Sequence, residues 1–303
     1  MVESLIKAGA LDGLGATRRQ LMEIYPDVIE TITLDKKKQI TGQQSLFDYG
    51  ATLGIDESMY RPKYPDCGEF DDDLKLQYEK EVLGTYASSH PLDKYNDWLT
   101  KNITHDSSSF IYDESEERYE VKDGEYVIIA GLLESVNVRI TKKNLNMATA
   151  SLTDLNGSIN LIFFPKIYEL KSNIIYEDQK CFISGRVSID GEDIKVIVDS
   201  ILPFNQIPMD IWLQFDNKDD YNSKKPAIDA IINESKTPVN GSLIILYLKE
   251  EKSIKKLDNS MRVKLDDELM FKLYKVLSED NVKTTYPNVK DLIRRKNYDY
   301  KRR

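Results

Sequence analysis

The chain has 303 residues, of which 41% are hydrophobic and 31% are charged, and this composition excludes a disordered protein. Its length predicts two or three domains. The formal net charge of −9 does not by itself indicate nucleic acid as a partner, because a sum over the whole chain hides local basic patches. No apolar run reaches the roughly 20 residues that span a bilayer, and the first residues lack the apolar core of a signal peptide, so we expect a cytoplasmic protein with no membrane partner.

Groups that could carry catalysis or hold a metal are scarce. Cys67 and Cys181 match no metal-ligand spacing, and the only histidines are His90 and His105. The one dense acidic cluster, residues 71–73, precedes a predicted helix, where capping explains it. The sequence contains no phosphate-binding glycine loop after a strand and no nucleophile-elbow serine. We therefore expect no metal site, no cofactor and no catalytic residue in this chain.

Residues 1–110 are predicted to be a helical region. Apolar residues recur at spacings of three, four and seven over residues 1–34, and glycines between them predict a tight turn joining two helices, the second starting near Ala16. This arrangement resembles half of a helix–hairpin–helix unit, which offers the N–H groups of a helix start to a DNA phosphate; an ordinary helical corner is the alternative. The candidate contacts to a duplex-DNA backbone are Gly13, Gly15, Thr17, Arg18 and Arg19.

The middle of this region lacks a pattern. Residues 35–73 have no sustained periodicity and are predicted to be a long loop, which contains the phrase "GQQSLFDYG" at residues 42–50. The helical period returns with Asp73 as the predicted N-cap, and Pro91 ends that helix and begins a short further one. Residues 111–125 are acidic and polar, and are predicted to be a linker.

From residue 126 the period of the apolar residues changes from 3.6 to 2. Three strands, a short helix and two further strands are predicted over residues 126–205, with Gly131 allowing a bend in the first strand. Turn residues separate the strands at Asn156–Gly157 and at Asp190–Gly191. This order predicts a five-stranded OB-fold β-barrel.

The loop after the first barrel strand, "RITKKNLN", has cations with no acid between them. OB folds bind single-stranded nucleic acid beside this loop, holding phosphates with cations and stacking bases on aromatic rings. Phe163 or Phe164, the two phenylalanines in "LIFFP", must face outward if the strand alternates, and the outward ring is a candidate stacking platform. A loop that is basic only for solubility, with both rings packed, is the alternative. The candidate nucleic-acid-binding residues are Arg139, Lys142, Lys143, Asn144, Phe163 and Arg186.

Residues 206–303 are predicted to be a small α/β domain. It begins loosely and has a strand in "GSLIILYLKE" and a helix capped by Asp266 or Asp267. It ends in a basic tail at residues 287–303, which suits either DNA or an acidic partner; a frayed, solvated terminus is the alternative. The predicted fold class is an α+β multidomain protein: a helical, helix–hairpin–helix-like N-terminal region, a five-stranded OB-fold β-barrel and a small α/β C-terminal domain.

The order of these pieces resembles the C-terminal part of the bacterial replicative DNA polymerase III alpha subunit, a C-family polymerase. The resemblance is carried by "SLIKAGALDGLGATRRQL", "GQQSLF", "LQYEKEVLGTYASSHPLDKY" and barrel phrases such as "CFISGRVSIDGEDIKVIVDSI". It implies that the N-terminal helices touch template duplex, that the OB domain lies near single-stranded template, and that residues 206–303 help to bind the clamp-loader tau subunit. The remaining domains of the alpha subunit are further implied partners.

The resemblance also implies a role for residues 42–48, which in that family dock into the hydrophobic groove of the sliding clamp. Carried onto this sequence, Gln43 occupies the polar subsite, Leu46 and Phe47 fill the apolar pocket, and Ser45 helps the turn. The alternative is that the two apolar side chains pack back onto the neighbouring helices.

The family's palm domain, with its catalytic aspartates in a "PD-x-D-x-DF" phrase, and its histidine-rich PHP domain are absent from this sequence. We therefore expect a fragment, a split gene product or a truncated reading frame that does not polymerise DNA by itself, and any Mg²⁺ would belong to the missing palm. Two other functions stay open: the tRNA-binding OB module of an aminoacyl-tRNA synthetase, and a non-catalytic OB protein that binds other proteins.

Overall fold

The computed structural model describes residues 1–40, 63–115, 117–191, 193–237, 241–290 and 292–293. The chain splits into two compact units, Met1–Asp93 and Lys94–Arg303. Within the residues that the structure describes, every helix is too short or too polar to cross a lipid bilayer.

The first unit is helical. Gly15 has a left-handed backbone (φ +79°) that glycine adopts without a Cβ penalty, and it ends a 3-10 turn that joins the first two helices. The predicted glycine turn is therefore confirmed. The second helix begins two residues after Ala16 and extends into the segment predicted to be a loop. The helices in the described part of this unit are α1 (Val2–Lys7), α2 (Arg18–Ile40) and α3 (Asp72–Leu83).

The acidic residues before α3 lie at its N-terminal end. Asp71, not Asp73, is the N-cap residue, while Asp72 and Asp73 lie in the first turn. Carboxylates at this position stabilise the positive end of the helix dipole. Gly84 ends the helix with a left-handed backbone (φ +74°).

The second unit opens with helix α4 (Asn96–Asn102) and contains a closed five-stranded barrel. The strand order is β1-β2-β3-β5-β4, with the β3–β5 pair parallel and the other pairs antiparallel. This is the predicted OB fold. A Cβ at Gly131 would lie 2.6 Å from the carbonyl oxygen of Thr153, so glycine permits the close approach of β1 and β2. The elements are β1 (Tyr126–Ile140), β2 (Asn146–Thr153), β3 (Ser158–Phe163), α5 (Pro165–Lys171), β4 (Lys180–Asp190) and β5 (Asp193–Pro203).

Residues before β1 are part of the barrel's packing. Phe110 and Val121 are buried in the barrel core at 5% and 2% exposure. The N–H and the hydroxyl of Ser107 donate to the two carboxylate oxygens of Asp154 at 2.7 and 2.6 Å. The predicted boundary at residue 110 and the predicted linker at 111–125 therefore differ from the structure, because isolated apolar residues in a polar stretch anchor it to the core.

The C-terminal part of the second unit is a four-stranded sheet in the order β8-β7-β6-β9. Strands β6 and β7 are parallel, and the two outer pairs are antiparallel. Asp266 caps the last described long helix by accepting from the N–H of Leu269, as predicted. The elements are β6 (Asp210–Phe215), α6 (Lys218–Glu234), β7 (Ile244–Leu248), β8 (Ser253–Lys256), α7 (Asp267–Leu277) and β9 (Val282–Thr285).

Helix α4 ties this sheet to the barrel. The indole N–H of Trp98 donates to the carbonyl of Pro287 at 2.9 Å, and the Trp98 ring stacks on Tyr286 with 4.4 Å between centroids. The Trp98 ring also meets Phe182 of the barrel edge-on at 4.9 Å. The second unit therefore has one aromatic junction between its two sheets.

Candidate nucleic-acid interface

The basic loop predicted from the sequence forms the tip of the β1–β2 hairpin. Ile140 pairs with Asn146, and the N–H of Thr141 donates to the carbonyl of Leu145 at 2.8 Å. Asn144 has a left-handed backbone (φ +59°), and its N–H donates to the carbonyl of Thr141 at 2.9 Å. Asparagine is one of the few residues that adopt this conformation readily. Asn144 therefore shapes the turn that presents the neighbouring lysines.

Three cations of this hairpin are exposed: Arg139, Lys142 and Lys143. None of them has a hydrogen bond or ion pair to any residue that the structure describes. Arg139 lies opposite Met147, while the next residue of β2, Ala148, is fully buried in the core. Because neighbours along a strand face opposite ways, Arg139 lies on the outer face of the barrel. Unpaired cations on such a face attract the phosphates of nucleic acid.

Arg186, on β4, also points outward from the barrel. Asn137 is opposite Thr149, Thr149 is opposite Ile162, Ile162 is opposite Ile197, and Ile197 is opposite Arg186. Because β4 also pairs with β1, where Arg186 lies opposite Tyr126, this row runs around the closed barrel. Arg139 and Arg186 therefore both point outward from the barrel, at different places around its wall.

The two phenylalanines at the end of β3 face opposite ways. Phe163 is fully buried in the barrel core, whereas Phe164 is 46% exposed. The candidate Phe163 therefore does not face outward, because the alternation of β3 points its last residue inward, and the alternative, Phe164, is the exposed ring. Phe163 lies opposite Ala148, and one further step in this register places Phe164 opposite Met147, the partner of Arg139. Phe164 is therefore the aromatic ring available beside the hairpin cations.

The turn between β4 and β5 carries acidic residues, unlike the basic β1–β2 hairpin. Asp190 lies opposite Asp193 across the turn, and Asp193 pairs with Lys195 at 2.5 Å. The unpaired positive charge is therefore concentrated at the β1–β2 hairpin.

Arg18, a predicted duplex contact, is held inside the first unit. It is 4% exposed, its Nη2 lies 2.8 Å from Asp12, and its Nη1 lies 2.8 Å from Glu79. The backbone N–H groups of Arg18 and Arg19 donate to the carboxylate of Glu69 at 2.9 and 3.2 Å. The helix start that was predicted to hold a DNA phosphate already binds a carboxylate of its own chain.

The other predicted duplex contacts lie around this helix start. Thr17 and Gln20 form a reciprocal capping box, in which each side chain accepts from the other's backbone N–H at 3.1 and 3.0 Å. Arg19 is exposed and lies 3.6 Å from Glu23. Gly13 and Gly15 have open space where a Cβ would be.

Glu79, which the sequence analysis did not single out, is fully buried. Its carboxylate accepts from the N–H groups of Ala87 and Ser88 at 2.8 and 2.9 Å. Burial by itself raises the pKa of Glu79, but the hydrogen bonds from Ser88, Ala87 and Arg18 outweigh it and lower the pKa to about 2. The signal in the sequence is its position three residues after Leu76 on the buried side of α3.

No group of three histidine, cysteine or acidic side chains in the described ranges is placed to hold a metal ion. An open cavity of about 510 Å³ is lined by three acidic residues, one lysine, one histidine and one glycine: Glu120, Asp123, Glu125, Lys122, His105 and Gly124. Such a lining does not favour an anion.

The predicted clamp-binding residues lie outside the described residues. They are Gln43, Ser45, Leu46 and Phe47. The part of the basic tail beyond Ile293 also lies outside them.

Comparison with models of known protein families finds no match for this chain. Among solved structures, a domain of replication protein A from Methanococcus maripaludis is 16% identical and covers 28% of this chain and 89% of that chain, with a TM-score of 0.24. The mitochondrial single-stranded DNA binding protein Rim1 of S. cerevisiae is 9% identical and covers 27% of this chain and 97% of that chain, also with a TM-score of 0.24. The OB fold of this chain rests on its own barrel topology.

Curated proteins give a stronger likeness. The chain is 33% identical over 202 residues to DNA polymerase III subunit alpha of Mycobacterium leprae, covering 67% of this chain and 16% of the relative. It is 30% identical over 211 residues to the same subunit of Borreliella burgdorferi, covering 68% of this chain and 17% of the relative. The chain therefore spans about one sixth of the length of these relatives. From these matches, the chain belongs to the DNA polymerase III alpha subunit family.

Proposed function

We propose that this chain provides single-stranded DNA binding in DNA replication, through the outer face of its OB barrel. The observation that carries this proposal is the set of exposed cations Arg139, Lys142 and Lys143 on an ordered hairpin, without intramolecular partners among the described residues. Membership of the DNA polymerase III alpha subunit family supports DNA as the ligand.

Binding proceeds by contacts of two kinds. Lys142 and Lys143 hold phosphates at the hairpin tip, and a base stacks on Phe164, whose exposed ring lies near Arg139 in the register. Arg186, which also points outward from the barrel, holds a further phosphate. Because the hairpin is fixed by its own hydrogen bonds, little conformational entropy is lost on binding.

The test is fluorescence anisotropy of labelled oligothymidylate with the full chain. The double variant Lys142→Glu/Lys143→Glu should bind at least about tenfold more weakly, because two phosphate contacts become repulsive. The matched control reverses two exposed lysines on the C-terminal helices, Lys225→Glu/Lys275→Glu, and should leave the affinity unchanged. Equal losses in both double variants would contradict the barrel site. Tighter binding of tRNA than of single-stranded DNA would favour a tRNA-binding module instead.

We also propose that residues 42–48 bind the sliding clamp. The support is the phrase "GQQSLF" within a chain of this family. Clamp binding would raise the effective concentration of the polymerase at the primer end. Leu46→Ala/Phe47→Ala should abolish capture on immobilised clamp, while the control Gln44→Ala, at the permissive position of the motif, should preserve it. Capture by the double variant at the wild-type level would refute this assignment.

The other contacts follow from the family in the same way. We propose that the chain works together with the other domains of an alpha subunit, that its N-terminal helices approach duplex DNA, and that residues 206–303 contact the clamp-loader tau subunit. For the duplex contact, Arg19→Glu should weaken duplex binding, and an unchanged affinity would oppose it. We propose that the isolated chain binds DNA and does not extend it, and that Mg²⁺ chemistry belongs to the palm of the family. Template-directed incorporation by this chain in a primer-extension assay would contradict that.

A further inference from the structure

The C-terminal sheet has two different faces. One face packs against α6 and α7 through Ile211, Leu213 and Phe215, which are all fully buried. Because side chains alternate along a strand, the residues between them, including Trp212, lie on the opposite face. We call this opposite face the helix-free face.

One row of neighbours crosses all four strands of the helix-free face. Lys256 lies opposite Ile245, Ile245 lies opposite Trp212, and Trp212 lies opposite Lys283. The two lysines are exposed and stand about 14 Å apart, three strand spacings, at the two edges of the sheet. The indole N–H of Trp212 donates to the hydroxyl of Thr285 at 2.8 Å, which fixes the ring between the cations.

A second aromatic ring lies in the next row. Tyr247 is half-buried and lies opposite Ile254, which is 57% exposed. Tyr247 is two residues after Ile245, the neighbour of Trp212, so the two rings occupy adjacent central strands in a diagonal arrangement. Ile245 beside them is buried at 2% exposure, and the face therefore offers two half-buried rings between two edge cations.

The acidic groups near this face are already engaged. Asp210 is half-buried, and burial raises the pKa of its carboxyl group although the charges of Arg262 and Lys256 oppose that shift, so this carboxylate lies in the field of both cations. At the upper end, Asp216 pairs with Lys249 at 3.0 Å, and Glu250 accepts from the side chain of Asn217 at 3.4 Å. Lys283 therefore carries accessible positive charge beside the rings, whereas the charge of Lys256 is partly offset by Asp210.

We propose that the helix-free face is a second single-stranded nucleic-acid site, separate from the barrel, in which bases stack on Trp212 and Tyr247 and phosphates pair with Lys256 and Lys283. Aromatic residues on an open four-stranded sheet, flanked by cations, are the arrangement by which sheet platforms bind unpaired bases. Lys256 and Lys283 favour nucleic acid as the occupant, because cations that flank stacking rings hold the phosphates of a single strand.

Tryptophan emission gives a direct test, because the chain has two tryptophans. Trp98 is buried at 8% exposure and stacked on Tyr286, so a change on adding oligothymidylate reports on Trp212. We expect quenching in the wild-type chain and in Lys142→Glu/Lys143→Glu, and its loss in Trp212→Phe. Because this signal does not depend on the barrel lysines, failure of the barrel site and failure of this site give different results.

Affinity measurements complete the test in the Lys142→Glu/Lys143→Glu background. Tyr247→Ala and Lys283→Glu should each weaken oligothymidylate binding about tenfold. The matched control is Lys275→Glu, an exposed lysine of α7 on the helix-covered side, which should have no effect. The proposal is overturned if saturating oligonucleotide leaves the Trp212 emission unchanged, or if Lys283→Glu and Lys275→Glu act equally. A response of Trp212 to purified tau subunit and not to oligonucleotide would also overturn it.

Discussion

Arg18 of the first unit and Arg139 of the barrel hairpin carry the same guanidinium group in opposite surroundings. Arg18 is buried between Asp12 and Glu79, whereas Arg139 is exposed and has no partner among the described residues. A buried cation with acidic partners stabilises the fold, and an exposed unpaired cation attracts an external anion. Charge indicates a binding residue only where the fold leaves it unpaired.

The largest expected effect is on the stability of the barrel, and it separates the buried ring of Phe163 from the exposed ring of Phe164. Phe163→Ala should destabilise the barrel by about 3–5 kcal/mol, because it opens a cavity in a packed core. Phe164→Ala should leave stability nearly unchanged and weaken single-stranded DNA binding about tenfold. Urea denaturation and anisotropy measure the two quantities. Equal stability losses in the two variants would contradict the assigned orientations.

The next largest effect should come from breaking the buried ion pair of Arg18 and Glu79. Glu79→Gln keeps the side-chain volume but removes the charge that faces Arg18, and should destabilise the first unit by about 3 kcal/mol. Urea denaturation followed by a probe in the first unit measures this loss. Oligothymidylate affinity serves as the control and should not change. A loss below about 1 kcal/mol would mean that the pair does not hold the unit together.

The acid stability of the first unit should depend on the same carboxylate. The pKa of Glu79 is lowered in the folded state from 4.5 to about 2, so the folded state favours its ionised form. Its contribution is present above about pH 4.5 and is lost as the pH falls towards 2, because the unfolded chain then binds more protons. The difference in stability between wild type and Glu79→Gln should shrink over this window. A difference that stays constant from pH 6 to pH 3 would contradict the lowered pKa.

The smallest expected stability effect is at the hairpin. Lys142→Glu/Lys143→Glu should change the free energy of unfolding by less than about 0.5 kcal/mol, because neither lysine has a partner in the described fold. Thermal and urea denaturation measure it. A large destabilisation would show that these lysines stabilise the fold, as Arg18 does, and would contradict the distinction between paired and unpaired cations.

The barrel could be predicted because its signals are local. Period-2 alternation and turn residues at Asn156–Gly157 and Asp190–Gly191 give the number and order of its strands. The direction in which Phe163 faces could not be predicted, since two phenylalanines end the strand and only the packed core decides between them. The local sequence pattern thus predicts where a strand lies, but it does not predict which way the last side chain of that strand points.

Strand β6 and helix α6 were missed for a different reason. The polar run over residues 216–225 is typical of a linker, and in the structure most of it forms the first half of α6. Only Ile228 and Ile232 are buried on that helix, so its apolar signal is short. The role of Glu79 was also hidden, because its partner Arg18 is distant in the sequence. Burial of a charge depends on such distant contacts.

The salt dependence of single-stranded DNA binding tests the central claim most directly. Anisotropy titrations at several salt concentrations should give a straight line for wild type when the logarithm of affinity is plotted against the logarithm of salt. For Lys142→Glu/Lys143→Glu the slope should be shallower by about 1.4, since two phosphate contacts to a single strand are lost. Parallel lines for the two proteins would show that the hairpin lysines do not contact phosphates, and would contradict the account.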